Sequence, residues 1–235
     1  MVSRPYSGKI GFCIGADIER PPPQIFEQLK NLGTPALADG LNKFNVLHPQ
    51  VKPVAGGLSI AGPAFTVRLR PGDNLMLHKA IGLAQPGDII VVDTCGCKNY
   101  CVMGDLMASA AFKKGIGGFV IDGGIRDVKE LQQKQFPIFA RYIVPAVGDK
   151  EGPGEINMPI SCAGVPVLPG DYIAADDNGV VVIPPYLADE IIKGAVKKLD
   201  YEARRAVEIE EGVVMKPDID EKLKSLGIID WPNQG

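Results

Sequence analysis

One segment of the sequence combines two charged side chains with an apolar stretch that ends in glycine. Residues 118–127 begin with a run rich in β-branched residues, continue through two glycines, and then present Arg126 and Asp127. Functional sites commonly lie where strands of α/β sheets end, and the forked guanidinium of arginine suits a carboxylate or an oxyanion. Two alternatives stay open: Asp127 with Glu130 resembles a helix capping box, and Arg126 is an ordinary surface arginine.

A second segment, Gly104-Asp105-Leu106-Met107, precedes a helical pattern. Glycine lets the backbone approach a ligand closely, and the first N–H groups of a helix are free to bind a carboxylate. The segment therefore predicts an anion site at the backbone of Leu106 and Met107. As an alternative, Asp105 is only a helix N-cap.

A histidine and a group of cysteines are further candidates. His78 follows the turn at Pro71-Gly72-Asp73-Asn74, where a histidine is more often packed than catalytic. Structural zinc normally requires a full tetrahedral set of paired ligands, and the two histidines lie elsewhere. The sequence thus favours reduced thiols over zinc at Cys95, Cys97 and Cys101.

The composition describes an ordinary globular chain. Of 235 residues, 46% are hydrophobic and 23% are charged, and the net charge is -3. A slightly acidic chain has no positive field for phosphate backbones or anionic lipid, so we expect no nucleic-acid or membrane partner. The amino terminus lacks a secretion pattern and no stretch reaches the apolar length of a membrane span, so a cytoplasmic protein is expected.

The hydrophobic pattern predicts an α/β fold, because apolar strands alternate with helices. A break at Gly33 separates two short helices at the start, and Gly212 marks the expected end of a long charged helix. We predict one domain over residues 1–235, with a core at about 20–185 and a C-terminal helix and tail at 186–235. The predicted helices cover 23–32, 34–41, 74–84, 106–114, 128–135 and 186–211; the predicted strands cover 58–70, 88–93, 118–122, 138–140, 165–167, 172–174 and 179–183.

Several of these segments together resemble one family. They are Gly62-x-Ala64-x-Thr66, Pro71-Gly72-Asp73-Asn74, Gly104-Asp105-Leu106 and the stretch from Asp122 to Val128. In order and spacing they are similar to the 4-hydroxy-4-methyl-2-oxoglutarate/4-carboxy-4-hydroxy-2-oxoadipate aldolases and the related regulator of ribonuclease activity A. The resemblance extends from about Thr34 to about Glu211.

The resemblance implies an α-β-β-α sandwich of the swivelling-domain type with a C-terminal helix. It also implies homotrimers or homohexamers with sites at subunit boundaries, so the helix and tail at 186–235 are expected to pack on a neighbouring subunit. The implied reaction is class II aldol cleavage of a carboxylated 4-hydroxy-2-oxo acid to pyruvate and a second oxo acid, with oxaloacetate decarboxylation as a side activity. A dedicated oxaloacetate decarboxylase and a non-catalytic ribonuclease regulator are the alternatives.

The resemblance also assigns roles to individual residues. Asp127 would bind Mg²⁺ or Mn²⁺ in a shell made mostly of water. Arg126 would stabilise the pyruvate enolate, and Asp105 would hold a water that accepts the proton of the C4 hydroxyl. The substrate carboxylate would lie at Gly104 and on the N–H groups of Leu106 and Met107.

A carboxylate from the C-terminal helix of a neighbouring subunit completes the implied site. Ungapped matching places Glu202 in that position, with Glu208, Glu210 and Glu211 as less favoured substitutes. A decarboxylase needs no acceptor for a C4 hydroxyl proton, and the regulators generally lack this residue. Glu202 therefore favours the aldolase. Side chains expected to shape the pocket around C4 are Arg68, Arg70, His78 and the 95–101 loop.

Overall fold

A computed structural model describes residues 6–227. The strands are β1 (Tyr6–Lys9), β2 (Phe12–Gly15), β3 (Lys52–Pro53), β4 (Ile60–Leu69), β5 (Ile89–Met103), β6 (Gly118–Ile125), β7 (Ile138–Ile143), β8 (Gly154–Ile156), β9 (Ile160–Cys162), β10 (Val165–Val167), β11 (Tyr172–Asp176) and β12 (Gly179–Ile183). The helices are α1 (Gln24–Gly40), α2 (Leu75–Leu83), α3 (Asp105–Lys114), α4 (Val128–Lys134), α5 (Ala188–Glu210) and α6 (Pro217–Ser225), with a short 3₁₀ turn at Pro185–Leu187.

Strands β4, β5, β6 and β7 are neighbours in that order and run parallel to one another. All eight residues of β6 are buried, which explains its nearly continuous apolar sequence. Strand β11 joins the other edge of β4 in the antiparallel sense and pairs with β12. The predicted strand–helix alternation is therefore confirmed in the segment that carries the candidate site residues.

Alternate side chains of these strands enter two different cores. On one face, buried residues contact α2, α3 and α4, with Leu77 and Leu131 among them. On the other face, Val91 and Val182 belong to a core shared with β9–β12. A third core joins β11 and β12 to α1 and the start of α5, where Leu37 is fully buried. The layers form the predicted α-β-β-α sandwich with a C-terminal helix.

Helix α1 contains the predicted break. Gly33 has φ 75° and ψ 154°, a conformation that glycine adopts without steric cost. The next helical segment is held by Asp176, whose carboxylate accepts hydrogen bonds from the Thr34 backbone N–H at 2.8 Å and from the Thr34 hydroxyl at 2.6 Å. The second helical segment therefore has an N-terminus of its own, and Asp176 satisfies one of its free backbone N–H groups.

Strand β5 is much longer than the predicted strand at 88–93. After bulges, Cys97, Cys101 and Met103 continue the pairing with β6. Five short strands, β1, β2, β3, β8 and β9, were not predicted, because segments of two to four residues carry too little periodicity. The pairings of β2 with β8 and of β3 with β7 also join segments that are remote in sequence.

The chain divides into two compact units, residues 1–196 and 197–235. The described part of the second unit holds the end of α5 and all of α6. Its surface carries ion pairs between Lys198 and Glu202 and between Arg205 and Glu208. The predicted packing of this region on a neighbouring subunit stays a prediction. Within residues 6–227, no helix is long and apolar enough to cross a bilayer.

Candidate active site

The carboxyl ends of β5 and β6 bring the two glycine-containing segments together. Met103, the last residue of β5, lies beside Ile125, the last residue of β6. The N–H of Arg126 then donates to the Met103 carbonyl at 3.1 Å. Gly104 and Asp105 follow one strand and Arg126 and Asp127 follow the other, so the predicted residues of this region meet at one edge of the sheet.

The two aspartates are connected directly. The backbone N–H of Asp105 donates to Oδ2 of Asp127 at 2.9 Å. Asp127 has a left-handed backbone (φ 60°, ψ 40°), and its side chain makes no capping hydrogen bond to α4. The capping-box alternative with Glu130 is therefore wrong. Gly104, not Asp105, is the N-cap of α3, so the N-cap alternative for Asp105 is wrong as well.

Gly104 is required for this contact. A Cβ at this position would lie 2.3 Å from Oδ2 of Asp127 and 3.1 Å from Cγ of Arg126. The first distance is far below normal van der Waals separation, and the second is a tight contact. The missing side chain of Gly104 therefore creates the space in which the Arg126 and Asp127 side chains lie.

A cation and free backbone donors face the same cleft. Nε of Arg126 lies 3.7 Å from Oδ2 of Asp127, and both side chains remain partly exposed, at 43% and 38%. The N–H groups of Leu106 and Met107 make no hydrogen bond within residues 6–227, as expected for the first turn of a helix. Gly104, Leu106, Met107, Arg126 and Asp127 all line the cleft.

The cleft has a volume of ≈ 170 Å³. That is far above the roughly 10–15 Å³ that one water needs, so a small organic acid can enter. The opposite walls come from the start of α2, the end of β5 and the loop after β7. Their lining residues are Asn74, His78, Cys101, Met103, Val147 and Lys150.

Two polar wall residues, Asn74 and Lys150, were given no role from the sequence. Asn74 is 3% exposed, and its Nδ2 donates to the Val102 carbonyl at 3.1 Å. Its Oδ1 is buried without a hydrogen-bond donor in the described part of the chain. An unsatisfied buried acceptor beside a cleft indicates a ligand or water position. The turn motif at 71–74 was the available signal for Asn74.

His78 lines the cleft from α2. Partial burial lowers the pKa of its imidazole, and the positive charge of Lys150 lowers it further. Both effects disfavour the imidazolium form. The His78 and Lys150 side chains are thus close enough to interact electrostatically.

Asp105 has an ionic partner of its own. The ammonium of Lys134 lies 2.9 Å from Oδ1 of Asp105, yet this oxygen is buried and has no well-aligned hydrogen bond. The contact is therefore an ion pair without a well-aligned hydrogen bond.

The donor set at the cleft limits the kind of metal it can hold. Within residues 6–227, no three Asp, Glu, His or Cys side chains form a set of metal ligands. Asp127 offers one carboxylate, with Oδ2 already accepting the Asp105 N–H. A single carboxylate with water in the remaining positions fits Mg²⁺ or Mn²⁺ and does not fit structural zinc. Cys95 is exposed, Cys97 is half-buried and Cys101 is buried, in line with the expectation of free thiols.

Glu202 lies in the second compact unit, on α5. It is exposed and pairs with Lys198, with 3.1 Å between Oε1 and Nζ. The predicted contribution of Glu202 to a site requires a second subunit, so it stays a prediction. The substitutes Glu208, Glu210 and Glu211 are also exposed, and Glu208 pairs with Arg205.

Arg68 and Arg70 do not line the cleft with His78. Arg68 pairs with Glu155 at 3.2 Å and donates to the Pro159 carbonyl at 2.7 Å. Arg70 lies 3.7 Å from Asp73 and 3.7 Å from Asp149. Cys101 is the residue of the predicted 95–101 loop that lines the cleft.

Comparisons with known proteins agree with this architecture. A protein from Halalkalibacterium halodurans named "Putative 4-hydroxy-4-methyl-2-oxoglutarate aldolase" is 42% identical over 178 residues, which is 75% of this chain and 85% of that protein. The structure of RraAS2 from Streptomyces coelicolor, described as an unusual member of the RNase ES inhibitor RraA protein family, matches with TM-score 0.72 and 26% identity, covering 80% of this chain and 100% of that one.

The RNA-processing inhibitor RraA from Thermus thermophilus matches with TM-score 0.60 and 31% identity, covering 64% of this chain and 92% of that one. A family model described as RraA-like, Aldolase/RraA, matches residues 34–182. This range holds every candidate site residue of the cleft and excludes Glu202. The chain belongs to the RraA-like family.

Proposed function

We propose that this protein is a divalent-metal-dependent aldolase that releases pyruvate from a carboxylated 4-hydroxy-2-oxo acid. The observation that carries the proposal is the hydrogen bond between the Asp105 N–H and Asp127 Oδ2, which fixes a carboxylate next to Arg126 and the free N–H groups of α3. These groups match the needs of an enolate-forming reaction: an anion site, a cation and a metal-binding carboxylate.

Substrate binding begins at the start of α3. The C1 carboxylate accepts hydrogen bonds from the N–H groups of Leu106 and Met107, where the helix dipole also favours negative charge. The C2 oxygen then faces Arg126. Since the Arg126 side chain is partly exposed in the cleft, its guanidinium is accessible to this oxygen.

Asp127 would hold the divalent cation through Oδ1. When bound, the cation supplies Lewis-acid polarisation of the substrate carbonyl. Because Oδ2 of Asp127 is held by the Asp105 N–H, the direction of the carboxylate is fixed before substrate arrives. Such preorganisation avoids reorientation during the reaction.

Bond cleavage needs a base for the C4 hydroxyl. A water held by Asp105 and by Glu202 of a neighbouring subunit would accept this proton. The C4 oxygen then forms the carbonyl of the second oxo acid, the C3–C4 bond breaks, and its electron pair moves to the C2 oxygen. Arg126 stabilises the resulting pyruvate enolate, which is protonated at C3 and leaves as pyruvate.

A coupled assay tests the proposal. The protein is given 4-hydroxy-4-methyl-2-oxoglutarate with Mg²⁺ or Mn²⁺, and pyruvate is reduced by lactate dehydrogenase while NADH absorbance is recorded. We expect pyruvate release that EDTA abolishes and either metal restores. Absence of pyruvate with both metals would refute the aldolase proposal.

Two other functions use parts of the same fold. An oxaloacetate decarboxylase would need Arg126 and Asp127 for the same enolate, but no base for a C4 hydroxyl. A ribonuclease inhibitor is suggested by the names of two relatives, the RNA-processing inhibitor RraA of Thermus thermophilus and the Streptomyces coelicolor member of the RNase ES inhibitor RraA family. Inhibition that survives the loss of Arg126 would favour the inhibitor, because partner binding requires no enolate chemistry.

A further inference from the structure

The carboxylate of Asp105 is held by a lysine to which the proposed reaction gives no role. Nζ of Lys134 lies 2.9 Å from Oδ1 of Asp105. Lys134 is the last residue of α4 and Asp105 is the first residue of α3, so the ion pair joins the ends of two helices. The two side chains are 35% and 25% exposed. Lys134 makes no other ion pair in the described part of the chain.

Two contacts fix Asp105. Its backbone N–H donates to Oδ2 of Asp127 at 2.9 Å, which sets the start of α3 against the residue after Arg126. Its side chain is directed by Lys134, because Oδ1 is buried at the ion pair and Oδ2 accepts no hydrogen bond within residues 6–227. Gly104 and Leu106, on either side of Asp105, line the cleft. Oδ2 is therefore the oxygen that remains for a water at the margin of the cleft.

Stability does not account for the ion pair. Pairs with this degree of exposure contribute little to the free energy of unfolding. An acid at the start of α3 and a base at the end of α4 also suit the two helix dipoles, but that effect requires no contact between the side chains. What the contact adds is direction, because a rotatable carboxylate keeps one orientation only where a partner holds it.

We propose that Lys134 is a positioning residue that orients the Asp105 carboxylate toward the proton-accepting water. The inference rests on the proposed function, in which Asp105 and Glu202 of a neighbouring subunit hold that water. Lys134 acts through Asp105 and not on the substrate: it keeps Oδ1 occupied and leaves Oδ2 free. Its loss should therefore slow removal of the C4 hydroxyl proton and leave substrate binding at Arg126 and the start of α3 intact.

Two substrates separate positioning from a merely structural role. Steady-state rates in Mg²⁺ are measured with 4-hydroxy-4-methyl-2-oxoglutarate, which has a C4 hydroxyl proton to lose, and with oxaloacetate, which has none. Lys134→Met removes the cation, and Lys134→Arg keeps it. Lys113→Met is the matched control, because Lys113 is an exposed lysine in the last turn of the neighbouring helix α3. A crystal structure of each variant gives the orientation of the Asp105 carboxylate independently of activity.

We expect Lys134→Met to lower kcat for the aldol substrate by about 10- to 100-fold, since a misplacement of about 1 Å can cost about 100-fold in rate. KM should change less than about twofold, and oxaloacetate decarboxylation should stay the same. Lys134→Arg should recover most of the loss, and Lys113→Met should show none. In an Asp105→Asn background, Lys134→Met should have no further effect, because it acts through that carboxylate.

Three results would overturn the inference. They are an unchanged aldol kcat in Lys134→Met, equal losses on both substrates, and an Asp105 carboxylate that keeps its orientation without Lys134. Failure of the proposed function looks different. If wild type releases no pyruvate, but the Asp105 carboxylate turns in Lys134→Met and not in Lys113→Met, the reaction is refuted and the positioning by Lys134 stands.

Discussion

The N–H of Asp105 donates a 2.9 Å hydrogen bond to Oδ2 of Asp127, so the first residue of α3 orients the carboxylate that follows β6. This contact joins the ends of two neighbouring parallel strands. It also leaves Oδ1 of Asp127 available to a ligand, and it holds a residue whose positive φ is uncommon outside glycine. Such conformations persist where surrounding contacts determine them, often at functional sites.

Gly104→Ala should damage the site more than the fold. The new Cβ would lie 2.3 Å from Asp127 Oδ2, so the carboxylate or the Arg126 side chain must move. A displacement of about 1 Å at a reacting group can cost about 100-fold in rate. We expect a loss of that size in kcat/KM for pyruvate release.

Gly82→Ala is the matched control. Gly82 lies in α2, and an added Cβ there would meet no atom within 4 Å. Activity should be unchanged and stability raised by about 0.4–1 kcal/mol, because alanine restricts the unfolded chain. Equal activity in both variants would contradict the role assigned to Gly104.

Arg126→Lys keeps the positive charge but loses the planar fork. If the fork stabilises the enolate oxygen, kcat should fall about 100- to 1000-fold, while thermal unfolding stays close to wild type. Steady-state kinetics and a melting curve measure the two effects. A drop in melting temperature that matches the activity loss would point instead to a structural arginine.

Asp127→Asn tests whether Asp127 binds the divalent cation. Asparagine tolerates the left-handed backbone and can still accept the Asp105 N–H, so the local geometry should survive. Affinity for Mn²⁺, measured by electron paramagnetic resonance, should fall at least about tenfold because the charged ligand is lost. Asp189→Asn on the exposed first turn of α5 is the control, and equal Mn²⁺ affinity in the two variants would exclude Asp127 as the ligand.

Glu202→Gln separates aldolase from decarboxylase. If Glu202 of a neighbouring subunit helps to hold the proton-accepting water, kcat for 4-hydroxy-4-methyl-2-oxoglutarate should fall by about 100-fold or more. Oxaloacetate decarboxylation should change little, since it releases no hydroxyl proton. Glu190→Gln, in the exposed first turn of α5, should leave both rates unchanged. Equal rates for Glu202→Gln and wild type on both substrates would remove Glu202 from the mechanism.

His78 provides a test by titration. Burial and Lys150 both lower the pKa of His78 in the folded protein. The contribution of His78 to the free energy of unfolding is therefore fully present above the pKa of the unfolded state, about 6.5. It is lost as pH falls through the lower pKa of the folded state. Lys150→Met removes the repulsion, so the His78 pKa should rise and the loss of stability on acidification should become smaller. Nuclear magnetic resonance of the imidazole measures the pKa; an unchanged value would show that Lys150 does not approach His78.

Much of the framework follows from the sequence. The continuous apolar run of β6 predicts a strand buried on both faces. The helix break appears at Gly33, because its left-handed backbone favours glycine. Arg126 and Asp127 were identified because they follow the end of such a strand, where functional sites commonly lie, and because the arginine fork suits an oxyanion or a carboxylate. These features depend on neighbouring residues, so local pattern is sufficient to find them.

The roles within the site depend on contacts that local pattern does not encode. Both aspartates have capping propensity, and only the pairing of Met103 with Ile125, after bulges in β5, directs Asp127 to the Asp105 N–H. Lys150 reaches the cleft because Asp73 holds the following loop. The sequence by itself determined the strand–helix alternation and the residues capable of the chemistry. The tertiary structure decided which of them share a cleft, because strand register and loop anchoring join segments that are remote along the chain.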